Sequence, residues 1–118
     1  MSVAQQVALD SNALWVGLNA GGASDPFGLA GQGPAIVASV VTGVSGSPSL
    51  QVFLDVQDAG GNWQQVAALT AQTAAGVQSA VVSAATIAAL GTGAARTARF
   101  RWTLSIGSAS VLMTAAGR

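Results

Sequence analysis

The sequence predicts an all-β fold, a single antiparallel β-sandwich of jelly-roll or related type. Three observations predict it. Short apolar runs repeat with a period of two, the mark of half-buried strands. Clusters of Gly, Pro, Ser, Asn and Asp separate these runs at short intervals. A helical period is almost absent. At 118 residues the chain suits one domain with one core. Residues 1–12 read as an N-terminal arm, and residues 13–118 as the sandwich, with a long loop at 19–34.

The elements follow in order. Asp10-Ser11-Asn12 marks a turn at the end of the arm, and residues 13–18 form a first strand in which Leu14, Val16 and Leu18 alternate. Residues 19–34 contain five Gly and two Pro, with Phe27 and Leu29 as the large apolar side chains. Loops of this length are uncommon in compact domains and tend to be functional or disordered. Residues 35–44 are apolar and β-branched, and Ser45-Gly46-Ser47-Pro48 supplies a turn. Residues 49–57 alternate cleanly, with Leu50, Val52, Leu54 and Val56 on one face and Gln51, Phe53, Asp55 and Gln57 on the other. Asp58-Ala59-Gly60-Gly61-Asn62 has hairpin composition, and residues 63–69 and 76–83 are the next strands. Residues 83–90 are Ala-rich, and Ile87 and Leu90 predict one short helical turn. Residues 98–106 place Phe100, Trp102, Leu104 and Ile106 opposite Arg99, Arg101, Thr103 and Ser105. After the turn Gly107-Ser108-Ala109, residues 110–115 are the last strand. Residues 42–50 and 103–111 echo each other as strand, small-residue turn, strand, and read as two similar hairpins. The predicted core is Leu50, Val52, Leu54, Val56, Phe100, Trp102 and Leu104.

Composition narrows the chemistry. Charged residues make up 7%, against ~25% in an average soluble domain. The inventory is Asp10, Asp25, Asp55 and Asp58 against Arg96, Arg99, Arg101 and Arg118, with no Lys, Glu, His, Cys or Tyr. There is thus no imidazole base, no thiolate and no soft metal ligand, so no enzyme, cofactor or metal site is expected. Zero net charge argues against nucleic acid, whose binding rests on neutralising phosphates. The two long uncharged tracts are broken by Gly, Pro, Ser, Gln and Asn, so no membrane span is expected. The first residues lack the basic and apolar regions of a signal peptide. A surface of Ser, Thr, Gln, Ala and Gly lacks the charge repulsion that keeps copies apart, which suits a subunit living against neighbours.

Three constellations remain. Asp55 and Asp58 flank a Gly-rich turn, a spacing at which oxygen ligands can hold calcium. Two carboxylates fall short of a calcium loop, and turn formation by Asp58 and Asn62 is the simpler reading. Arg96, Arg99 and Arg101 either grip an anion across an interface or pair across strands with Asp55 or Asp58. Cross-strand pairing is favoured. Phe53 lies on the polar face of its strand and Phe27 in the loop, positions where aromatics mark interfaces. Trp63, opening its strand, is expected to cap the sandwich.

The run Ser49-Leu50-Gln51-Val52-Phe53-Leu54-Asp55-Val56-Gln57-Asp58-Ala59-Gly60-Gly61-Asn62-Trp63 resembles a stretch of small tailed-bacteriophage virion proteins. In that pattern an Ala/Thr/Gly segment follows, here Thr70 to Gly76, then the strand Arg99-Phe100-Arg101-Trp102-Thr103-Leu104, then a Gly/Ser turn and a last strand. The resemblance covers residues 40–117; residues 1–34 have no counterpart, and residues 83–95 depart from the pattern. It implies a capsid decoration (cement) protein on the outer capsid surface of the virion, clamping neighbouring subunits of the major capsid protein. It also implies a homo-oligomer, with a trimer favoured. The alternative is a carbohydrate-binding or structural module of a tail or head fibre. The expected interface residues are Val3 and Val7 in the arm, Phe27 and Leu29 in the loop, and Phe53, Arg99 and Arg101 on the sandwich. Both the arm and the loop are expected to contact partners.

Overall fold

A computed structural model describes residues 11–93 and 95–118, and side chains from Leu14 onward. The strands are β1 (Ser11–Leu18), β2 (Gly22–Ala23), β3 (Phe27–Gly28), β4 (Ala35–Ser45), β5 (Leu50–Gln57), β6 (Trp63–Ala68), β7 (Gly76–Val82), β8 (Thr97–Leu104) and β9 (Ser108–Gly117). One short helix, α1 (Ala84–Ala88), lies between β7 and β8. The first sheet has the order β1-β9-β4-β7 and the second β2-β8-β5-β6, with β3 also pairing with β8.

The pairing is nested. β1 pairs with β9, β2 and β3 with β8, β4 with β7, and β5 with β6, all antiparallel. The chain is therefore one long hairpin rolled up on itself, and the β4–β9 and β5–β8 ladders join successive turns of the roll. With β2 and β3 taken as two pieces of one edge strand, this is the jelly-roll arrangement.

The period-two pattern sets which side chains line the interior. Leu50, Val52, Leu54 and Val56 of β5 and Ala98, Phe100 and Trp102 of β8 are buried. Across from them lie Val37 and Val41 of β4 and Val111, Met113 and Ala115 of β9. Leu104, predicted as core, is half-buried and packs against this cluster. Trp15 reaches in from β1 to meet the Trp102 ring at 4.8 Å. One polar pair crosses the core. The buried Ser39 hydroxyl on β4 donates to Gln72 Oε1 at 2.8 Å, and Gln72 Nε2 donates to the Gly76 carbonyl at 3.0 Å. The Gln72 backbone itself bridges to Leu50 on the second sheet, so this residue ties the sheets together. Because both polar ends are satisfied, their burial is tolerated.

Three expectations change. The echoing segments 42–50 and 103–111 are not hairpins: β4 leads to β5, and β8 to β9, in the opposite sheet. Both are corners, and they meet. A Cβ on Gly107, whose φ is +69°, would collide with the backbone of Ser45 and Gly46. The small residues are thus needed where two chain crossings touch, as well as for turning. Second, the loop 19–34 is not a bare connection, because β2 and β3 hydrogen-bond it to β8. Third, Trp63 does not cap the sandwich; by register with Gln57 it lies on the outer face of the second sheet.

Helix α1 forms where predicted. Ser83 Oγ accepts from the Thr86 backbone N–H at 3.2 Å as its N-cap, and Ile87 anchors it in the core. Phe100 is the largest fully buried side chain and also stacks on Phe27 of the loop, with ring centroids 5.0 Å apart. Replacing it, Phe100→Ala, is expected to lower unfolding stability by about 3–5 kcal/mol, read from urea denaturation midpoints.

Candidate functional site

The outer face of the second sheet gathers the charged and aromatic side chains. On β5, Phe53 and Asp55 stand opposite Arg101 and Arg99 of β8, and Gln65 of β6 faces Asp55 from the other side. Asp55 Oδ2 accepts from Arg99 Nε at 3.1 Å and from Arg101 Nε at 2.9 Å. Asp55 Oδ1 accepts from an Arg101 terminal nitrogen at 3.3 Å, and the same nitrogen donates to Gln65 Oε1 at 2.7 Å. Each guanidinium also lies over a ring, Arg99 over Trp63 at 4.5 Å and Arg101 over Phe53 at 4.2 Å. The result is one continuous layer: ring, cation, carboxylate, cation, ring.

Electrostatics explains the order. Two neighbouring guanidinium groups repel, and a shared carboxylate between them offsets that repulsion. The ring faces carry negative quadrupole charge and hold the cations from the outer sides. Asp55 lies on the outer face, as its alternation predicts, yet it is only 2% exposed because the arginines cover it. Cross-strand pairing therefore accounts for Arg99 and Arg101. It does not account for Arg96. That guanidinium is buried and donates to the carbonyls of Leu29 at 3.3 Å, Gly33 at 2.6 Å and Ala30.

Asp58 belongs to the β5–β6 turn. Its Oδ1 accepts from the backbone N–H groups of Gly60 and Asn62 at 2.9 Å each, and Oδ2 accepts from Gln64 Nε2 at 2.9 Å. The Asn62 N–H, then the Gln64 amide, hold its pKa below the ordinary 3.8. With both oxygens bonded in the turn, Asp58 does not join Asp55 in a shared site. Among the described residues, no three His, Cys, Asp or Glu side chains gather to hold a metal. A cavity of about 100 Å³ is lined by Gln32, Ile87, Ala88, Gly93 and Arg96, against roughly 300–1,000 Å³ for ligand pockets.

The expected interface residues are thus distributed in three ways. Phe53, Arg99 and Arg101 come together in the layer on the second sheet. Phe27 is half-buried against Phe100, and Leu29 is buried at 3% exposure in the chain's own core. Leu29 therefore has no surface to offer a partner, which corrects its expected role. The loop buries itself with two side chains, because Arg96 and β8 satisfy its backbone. Val3 and Val7, with most of the arm, lie outside the described residues.

One surface escaped the sequence reading. On the outer face of the first sheet, Leu14, Leu112, Val40 and Val77 stand in register across all four strands. The signal was present in residues 35–44, where Ile36 and Val40 are apolar on one parity and Val37 and Val41 on the other. A strand apolar on both parities has two apolar faces.

Comparison with models of known protein families finds no match, and comparison with curated proteins finds none. The class that fold and site define is a jelly-roll sandwich with an Arg–aromatic layer on one face and an apolar sheet on the other.

Two measurements probe this region. Asp55→Asn leaves the two guanidinium groups without their shared anion, and is expected to cost about 3 kcal/mol in denaturant unfolding. The depressed Asp58 carboxyl stabilises the fold fully above its unfolded pKa, and that contribution disappears as pH falls through the folded pKa below 3.8. Urea midpoints measured from pH 5 down to pH 2 are expected to fall less steeply for Asp58→Asn than for the natural chain.

Proposed function

We propose that the chain is a structural subunit of a virion, a bacteriophage capsid decoration protein that binds the outer surface of the head and clamps neighbouring major capsid subunits. The observation that carries this reading is β1, the edge of the first sheet. Among the described residues it pairs with β9 alone, on one side. Leu14 and Val16 on it are 66% and 80% exposed. Free edges are ordinarily blunted by Lys, Pro or inward charge. β1 contains none of these, only a bulge between Trp15 and Leu18. An open apolar edge continuous with the arm suits pairing with a neighbour's strand.

The resemblance over residues 40–117 supports the same reading, as does the zero net charge. A clamp needs no chemistry: binding to the assembled lattice stabilises it by linkage, and several attachments per particle multiply the effect. The carbohydrate alternative would use uncovered aromatic faces. Trp63 and Phe53 each have a ring face covered, by Arg99 and Arg101.

The test is reconstitution on undecorated parent heads. The intact chain is expected to bind them and raise their resistance to heat or chelation. A chain lacking residues 1–10 is expected to fold equally well and bind at least tenfold more weakly. Binding of both chains to tails and of neither to heads would reject the decoration role.

A further inference from the structure

We infer that the outer face of the first sheet is where a second copy of this chain packs, closing a two-fold dimer. The four strands of that sheet, β1, β9, β4 and β7, contain no charged residue. The described charges lie on the second sheet, in loops, or at Arg118 after β9. The register shows how the apolar side chains line up. One row is Leu14, Leu112, Val40 and Val77; beside it stand Ile36 and Val81, with Ala116 next to Ile36 already buried. Between them run Thr114, Ala38 and Ser79. Val77 and Val81 are 64% and 69% exposed on one edge, and Leu14 and Val16 are more than half exposed on the other. The apolar surface is thus continuous from edge to edge.

Contiguous apolar surface of more than a few hundred Å² marks an interaction site. Strands of eight, ten, eleven and seven residues, about 4.8 Å apart and rising about 3.4 Å per residue, give a flat area of roughly 590 Å². Side-chain relief increases the accessible area above that projection. A stable standard interface needs about 800 Å² from each partner, so the face is of the right size.

Charge decides the occupant. A partner of different sequence is ordinarily selected by complementary charge, and this face has none to offer. Against its own copy the same lack is an advantage, since no like charges meet across the two-fold axis. The hydroxyls of Ser79 and Thr114 sit between the apolar rows, where each can donate to or accept from its image. Two such sheets pack face to face about 10 Å apart, as the two sheets within one chain do. A flat face that meets its own image closes as a pair, whereas a trimer requires two different patches. The inference goes beyond the decoration reading and holds whatever lattice the dimer joins.

Sedimentation equilibrium of the full chain tests it. At ten micromolar the natural chain is expected at twice its 11.5 kDa mass. Val77→Lys and Leu14→Lys, both at exposed edge positions, are expected to weaken association at least tenfold, with far-UV circular dichroism unchanged. Thr103→Lys, on the second sheet, is expected to leave the dimer intact. A natural chain of single mass up to hundreds of micromolar would overturn the inference. So would a mass of three chains, or dimers of undiminished affinity in both lysine variants. Loss of head binding by Val77→Lys in a chain already monomeric would assign the face to the capsid and also reject the second copy. Failure of the natural dimer to bind heads would reject the decoration role and leave the dimer standing.

Discussion

The Arg96 guanidinium is buried, and it donates to three backbone carbonyls of a single loop, those of Leu29, Ala30 and Gly33. Among the described residues no carboxylate pairs with it. That arrangement settles how one end of the sandwich closes. The loop has too few side chains to hold itself by packing, and its backbone groups must find partners if they are to leave water. Arg96 supplies several donors at once, from the residue immediately before β8. Once the carbonyls are gathered, Leu29 reaches the core, its N–H donates to the Arg96 carbonyl, and β3 falls into register with Ala98 and Thr97. Arg118, just after β9, closes over the same knot: Gly33 N–H donates to the Arg118 carbonyl, and Arg118 N–H to that of Pro34. At Gly117 there is no room for a Cβ beside the Ala30 backbone. A chain with four cations therefore commits one of them to its own interior.

Much of this architecture was legible beforehand, and the reasons are physical. β5 and β8 each alternate over a full strand length, so one face had to be core whichever register the strands took. The β5–β6 turn announces itself because Asp58 can satisfy two backbone donors that the tight turn leaves unpaired, those of Gly60 and Asn62. β2 and β3 could not be read, since two residues have no period and their pairing is dictated by β8. Arg96 was misread for a related reason. Sequence suggests a carboxylate for every arginine, whereas a loop carbonyl leaves no trace in the sequence.

Asp55 shows a subtler limit. Alternation places it on the outer face, and that is where it lies. A carboxylate on an outer face ordinarily meets solvent, and this one does not. Arg99 and Arg101 flank it on β8, and their long side chains fold over it toward Trp63 and Phe53. Burial on a sheet's outer face depends on what neighbouring strands contribute, which is visible only once strand order is known. The apolar rows of the first sheet are hidden from sequence in the same way. Leu14, Leu112, Val40 and Val77 are scattered along the chain, and only the nested pairing sets them side by side.

That nesting also has a temporal side. Ser11 pairs with Ala115, so the earliest of the described strands receives its partner last. On the ribosome β1 must wait until β9 has emerged, with its apolar residues unpaired throughout. The β5–β6 hairpin can form early, and each further pair of strands then wraps outward from it. Folds dominated by such distant pairings acquire them in milliseconds to seconds, long after local turns have formed. The interval in which neighbouring nascent chains can exchange their first strands is correspondingly long.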